Sequence, residues 1–244
     1  MKRFLRRGAV ARLALCALLV PGLAGADVVL SSEKLNAALK QMQRLQPRGQ
    51  DAGGAVTAEA VFALGEEARA LADLMSKEVA AHGWQQKPML DLALRRTSAL
   101  GVHVAWSAAH ERFFYDGEAY RRYLEAAPDG VHATDSMFQL LWYDFYQAEA
   151  DDHAGLVAQA AYAKEYLRRF PDSGNAAEAG LFLAINYRDL WRDCRENTAE
   201  DCDGRYAALT REQFRQVATE HAGTDQSEIA SRLLQRFDAE AAGE

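Results

Sequence analysis

The chain has 244 residues, 49% of them hydrophobic and 26% charged, a folded-protein composition with enough apolar material for one sizeable core or two small ones, which excludes intrinsic disorder. Its 28 basic and 35 acidic residues give −7; five of the basic residues (Lys2, Arg3, Arg6, Arg7, Arg12) fall in the first 26 positions, so a chain without that stretch carries 23 against 35, or −12. A surface of that sign repels phosphate backbones and anionic headgroups, so neither nucleic-acid binding nor electrostatic docking on a membrane is expected.

Residues 1–26 read as a signal peptide, with a basic start, an apolar run from Leu13 to Leu23, and Ala24-Gly25-Ala26 ahead of cleavage before Asp27. The run is about 11 residues, short of the ~20 that a membrane-crossing helix needs. The expected product is exported, to the bacterial periplasm, without a transmembrane segment. Cys16 follows Leu13-Ala14-Leu15, where a lipoprotein signal wants a small residue, so lipidation is not expected. Cys194 and Cys202 remain after cleavage, and an even count in an oxidising compartment points to a disulfide stabilising by ~2–3 kcal/mol.

Residues 27–56 form an N-terminal helix and linker. Leu35, Leu39, Met42 and Leu45 follow Ser31-Ser32 as a short amphipathic helix ended by Pro47, and Pro47 to Gly54 lacks any large apolar side chain. Residues 57–117 read as a long helix pair. Thr57 caps a helix running to Gly83, with Val61, Leu64, Leu71, Leu74, Met75 and Val79 inward. Pro88 opens a second helix in which Leu90, Leu94, Thr97, Gly101, Val104 and Ala108 make one face, with Gly101 marking a close approach or bend. Strand signals are confined to Val28-Val29-Leu30.

Residues 118–240 repeat a helix, turn, helix pattern. At a shift of 43, Tyr123, Leu124, Pro128, Asp129, Ala133 and Leu140 fall on Tyr166, Leu167, Pro171, Asp172, Ala176 and Leu183. A third copy at a further shift of 51 sets Ala222 on Pro171, and the Cys194–Cys202 stretch accommodates the difference. Thr210 with Gln213, and Asp225 with Glu228, supply capping signals for the third pair. A helix pair of this size cannot bury its apolar stripe alone, so successive pairs must stack.

The segment Tyr166-Leu167, Phe170-Pro171-Asp172-Ser173 and Ala176-Ala177-Glu178-Ala179 resembles tetratricopeptide (TPR)-type repeats of exported bacterial envelope proteins, such as those of outer-membrane assembly and of the periplasmic Tol-Pal coordinator. The resemblance implies an all-α fold of antiparallel helix pairs stacked as a right-handed solenoid, with a concave face that binds peptides or partner proteins. Within such a groove the candidate contact residues are Trp142, Tyr143, Tyr146, Tyr166 and Tyr187, since tyrosine joins a large apolar face to a hydroxyl. His103 and His110 stand two turns apart on the expected long helix, flanking Trp106, too far apart to chelate one ion without a third ligand; they are weak metal candidates.

No nucleophile elbow, phosphate loop, dinucleotide fingerprint or His-Glu-x-x-His is present. The expected function is therefore a non-enzymatic periplasmic adaptor without a cofactor, binding an envelope protein or peptide. The alternatives are an exported cell-wall glycan hydrolase, which needs a carboxylate of raised pKa in a cleft, and a helical carrier of a small ligand or metal using His103, Trp106 and His110.

Overall fold

The structure, a computed structural model, describes residues 30–46, 57–147, 153–197 and 202–243. The expected signal peptide with Cys16, and the expected linker from Pro47, lie outside the described residues. The chain is mostly helical and divides into two compact units, the first ending at Ser136 and the second beginning at Met137.

The first unit holds α1 (Ser32–Leu45), α2 (Ala58–His82), α3 (Lys87–Ala99), strands β1 (Val104–Ser107) and β2 (Arg112–Tyr115), and α4 (Glu118–Ala126). Ser31 caps α1 by accepting the Lys34 N–H, and Leu35, Leu39 and Met42 are buried. Thr57 caps α2 in the same way, and Gly83 closes it at φ +60°. At its far end, Glu78 is fully buried; its carboxylate accepts the Leu30 N–H at 2.7 Å, and His82 Nδ1 stands 3.1 Å from the other oxygen.

The expected long helix from Pro88 to Ala108 is corrected by the structure. α3 stops at Ala99 in a glycine-closed end: Gly101 takes φ +68°, its N–H donates to the Ser98 carbonyl, and the Val102 N–H reaches back to Thr97 at 3.0 Å. These are the paired bonds of a Schellman motif, with Val102 and Thr97 both buried across it. Beyond it the chain makes an antiparallel hairpin with Trp106 opposite Phe113 and Val104 opposite Tyr115. Val104 belongs both to the expected helical ladder and to the strand alternation Val102, Val104, Trp106, so the helix spacing was coincidental.

One face of α2 receives this hairpin and α4. Ser76 Oγ accepts the Phe113 N–H at 2.8 Å and donates to the Ala72 carbonyl, and Arg112 pairs with Asp73 at 2.7 Å. About two turns from Asp73 toward the N-terminus, the Tyr120 hydroxyl donates to Glu66 at 2.6 Å, and Arg69 holds the other carboxylate oxygen at 2.8 Å. Gly65 lies beneath the Tyr120 ring; a Cβ there would stand 2.8 Å from Cε1. The expected boundary at 117/118 therefore falls inside the first unit, because α4 packs on α2.

Helix α5 (Ala133–Gln147) runs across the division at Ser136. The second unit continues with α6 (His153–Arg169), α7 (Ala176–Glu196), a π-helical turn at Asp203–Ala207, α8 (Ala208–Glu220) and α9 (Asp225–Ala242). α7 is buried along most of its length and packs against α6, α8 and α9. Phe182 stacks on Phe145 at 4.1 Å, and Trp191 meets Phe237 edge-on at 4.9 Å. Cys194 and Cys202 form a disulfide, with Cα atoms 5.6 Å apart, that ties the end of α7 to the turn before α8. Arg192 grips Glu240 with both arms of its guanidinium, joining α7 to α9.

The three corners aligned in the sequence make the same backbone bonds. Between α4 and α5, the N–H groups of Ala127, Gly130 and Ala133 donate to Tyr123, Ala127 and Gly130 at 2.8, 3.0 and 2.9 Å. Between α6 and α7, Phe170, Ser173 and Ala176 donate to Tyr166, Phe170 and Ser173 at 2.9, 3.2 and 3.0 Å. Between α8 and α9, His221, Thr224 and Ser227 donate to Val217, His221 and Thr224 at 3.3, 3.2 and 3.1 Å. The third corner keeps these bonds without a proline, with Gly223 at φ +86°. Its cap is Thr224, one residue before the expected Asp225, and Thr210 is no cap: its buried hydroxyl donates to the Tyr206 carbonyl within the π-turn junction.

Candidate functional site

A groove of about 320 Å³ lies within the second unit, along α7 and between α6 and α8. Its floor is Ala176, Gly180, Leu183 and Tyr187, spaced by four, three and four residues on one face of α7. Gly180 lets α8 come close: a Cβ there would stand 2.8 Å from Val217 Cγ2. The α6 wall presents Lys164, Leu167 and Arg168, and the α8 wall Gln213, Gln216, Val217 and Glu220. Arg168 is held in a fork by Glu165 at 2.6 and 2.8 Å, and Glu220 accepts from Gln216 at 3.0 Å. Lys164 is exposed and has no hydrogen-bond or ion-pair partner among the described residues.

Of the aromatic residues expected at a binding face, Tyr187 lines this groove, and burial pushes its phenol pKa up. Tyr166 does not offer a surface. It is fully buried, and its hydroxyl bonds Ser173 Oγ at 2.9 Å inside the corner that it braces. Trp142, Tyr143 and Tyr146 are half-buried on α5 and are not groove-lining. Tyr146 packs against Trp142 at 4.9 Å and edge-on against Phe145 and Phe182.

The two histidines flanking Trp106 are not on a helix. His103 precedes β1 and is exposed, and His110 sits in the loop at the far end of that strand, edge-on to Phe114 at 6.0 Å. Among the described residues no three His, Cys, Asp or Glu side chains gather in a way that would hold a metal ion. Trp106 packs edge-on against Trp84 at 4.8 Å. Burial raises the Glu178 carboxyl pKa, but this residue, in the first turn of α7, is not groove-lining.

Sequence reasoning did not find the walls. Lys164 and Gln216 carry no motif, and Gln213 stands out only as a capping partner of Thr210; the packing of α6 and α8 on α7 sets all three around one cavity. Among the described residues no helix is long and apolar enough to cross a membrane. Compared with known proteins, the chain matches no family model, no curated protein and no solved structure.

Proposed function

We propose that this chain is a non-enzymatic scaffold of the cell envelope, exported to the periplasm, that binds a segment of another protein in the groove between α6 and α8. The observation that carries this reading is the groove itself, an open apolar floor with a polar rim, the usual make-up of a recognition site. The three matching corners support a helical-repeat architecture, in which α6–α7 and α8–α9 are successive TPR-like pairs. The disulfide fits an oxidising compartment.

A photo-crosslinking amino acid placed at Gln216 in living cells tests the proposal. The expected result is a discrete protein adduct from Gln216, lost in Tyr187→Ala and absent when the crosslinker is moved to Arg215, which is exposed outside the groove. Equal adducts from both positions, or none from Gln216, would overturn it.

A further inference from the structure

The walls of the groove continue past the residues that enclose it. Val157 lies seven residues before Lys164 on α6, and Leu209 lies four before Gln213 and seven before Gln216 on α8, so each extends its wall along the same helical face. They are 43% and 42% exposed, two of the four exposed large hydrophobic residues in the described chain. α6 and α8 both run antiparallel to α7: the α6–α7 corner folds one back, and the disulfide together with the Gly180–Val217 contact fixes the other. Counting outward from those fixed points sets Val157 and Leu209 at the level of Tyr187. These side chains make that stretch of the groove an apolar mouth, bounded about one turn further on by the His153–Tyr206 pair that joins α6 to the turn before α8.

Two turns further along α6, at about 10 Å of helical rise, stands Lys164, facing the neutral Gln213 and Gln216 wall. At the far end Arg168 and Glu220 offset one another and each already has a partner. The groove thus has an apolar end, a centre with one unpaired cation, and a neutral end. Its volume of about 320 Å³ accepts a few side chains of a bound segment.

Building on the peptide-groove reading, we infer that the occupant is an extended segment with a bulky apolar side chain at the Tyr187 end and an Asp or Glu about three residues away beside Lys164. Extended chain advances ~3.3 Å per residue, so three residues span the two helical turns between the mouth and the cation. The apolar side chain inserts among Val157, Tyr187 and Leu209, where exposed apolar surface is removed from water. The carboxylate meets the ammonium of Lys164 and reads both identity and register.

The test selects a phage-displayed random dodecapeptide library on the full mature chain with its disulfide intact, then measures the consensus peptide by fluorescence anisotropy. The expected consensus pairs Leu, Ile or Phe with Asp or Glu three positions away. Its affinity should fall about tenfold in Lys164→Glu and in Leu209→Asp, both exposed positions, with far-UV circular dichroism unchanged. A peptide carrying Lys in place of the acid should recover binding to Lys164→Glu. A consensus without the acidic position, an apolar-to-acid spacing of seven, or equal affinity for Lys164→Glu and wild type would overturn the inference. A Gln216 adduct in cells with no acidic consensus would sink this specificity alone, whereas no adduct and no enriched peptide would remove the groove reading as well.

Discussion

Removing the Tyr120 hydroxyl isolates one bond at the seam between α2 and α4. Tyr120 is 2% exposed, and its ring stays in place in Tyr120→Phe because it is held over Gly65 and beside Phe62 and Tyr115, at 6.0 and 5.9 Å. What is lost is a 2.6 Å bond to a carboxylate that also binds Arg69. A hydrogen bond to a charged group contributes ~1.5–3 kcal/mol, and the lower end applies because the Glu66 side chain is 35% exposed and water can replace the donor. Burial by itself raises the Glu66 pKa, but the Arg69 and Tyr120 bonds outweigh it and hold the group below 4.5. A lowered folded-state pKa means that the unfolded chain binds more protons, so this contribution is present above about pH 4.5 and is lost as pH falls through the folded value. Peptide-resolved hydrogen exchange over 58–82 and 118–126 reads the effect within the first unit. Tyr120→Phe should lower protection by about 1.5 kcal/mol at pH 7 and by progressively less as pH falls through the folded Glu66 value, and Glu66→Gln should remove the pH dependence. An unchanged protein at pH 7, or a loss that stays constant throughout an acid titration, refutes the reasoning.

The other structural readings make equally direct demands. Gly130→Ala places a Cβ 2.3 Å from the Tyr123 hydroxyl, which accepts the His132 N–H; thermal unfolding should show a loss of ~1–3 kcal/mol, more than Gly174→Ala, where the added carbon meets nothing within 4 Å. Gly101→Val forces a β-branched residue to φ +68° and should cost upwards of ~1 kcal/mol, while Gly101→Asn keeps most of the stability. Replacing both cysteines by serine should cost about 2.5 kcal/mol, the chain-entropy value for a loop of this length, with the loss read by chemical denaturation and matched by reduction of the wild type. Gly180→Leu should drive α7 and α8 apart at the Val217 contact, loosening the second unit and abolishing peptide capture together.

What the sequence disclosed follows from the range of the interactions involved. The caps at Ser31 and Thr57, and the bonds that build each corner, join residues within a few positions of one another, so side-chain chemistry at adjacent sites is enough to reveal them. The proline shared by two corners was a visible sign, but the third corner makes the same three bonds with Ala222 in its place, helped by Gly223 at φ +86°, and the element common to all three is therefore the buried Tyr123, Tyr166 or Val217 whose carbonyl starts the turn. The hairpin was hidden because Gly101 satisfies two patterns, the small position of a helical face and the left-handed position after a helix end. Its neighbours decide between them: Val102, Val104 and Trp106 alternate, and Phe113 answers Trp106 across the strands.

Aromatic spacing misplaced Tyr166 for a related reason. Helical periodicity reports which residues share a face, but not whether that face meets solvent or another helix, and at the α6–α7 corner the bond to Ser173 turns the hydroxyl inward. The groove needed a different kind of information. Tyr187, Lys164 and Gln216 are separated in the chain by a corner and by the disulfide-closed segment, and they surround one cavity only because Gly180 permits α8 to lie against α7. The residue that assembles the candidate site is thus the one with no side chain to contribute, and on the proposed reading ligand specificity falls to exposed positions such as Lys164 and Leu209. Substitution at those positions should then alter what the groove binds while leaving the fold intact, whereas substitution at Gly180 should remove both.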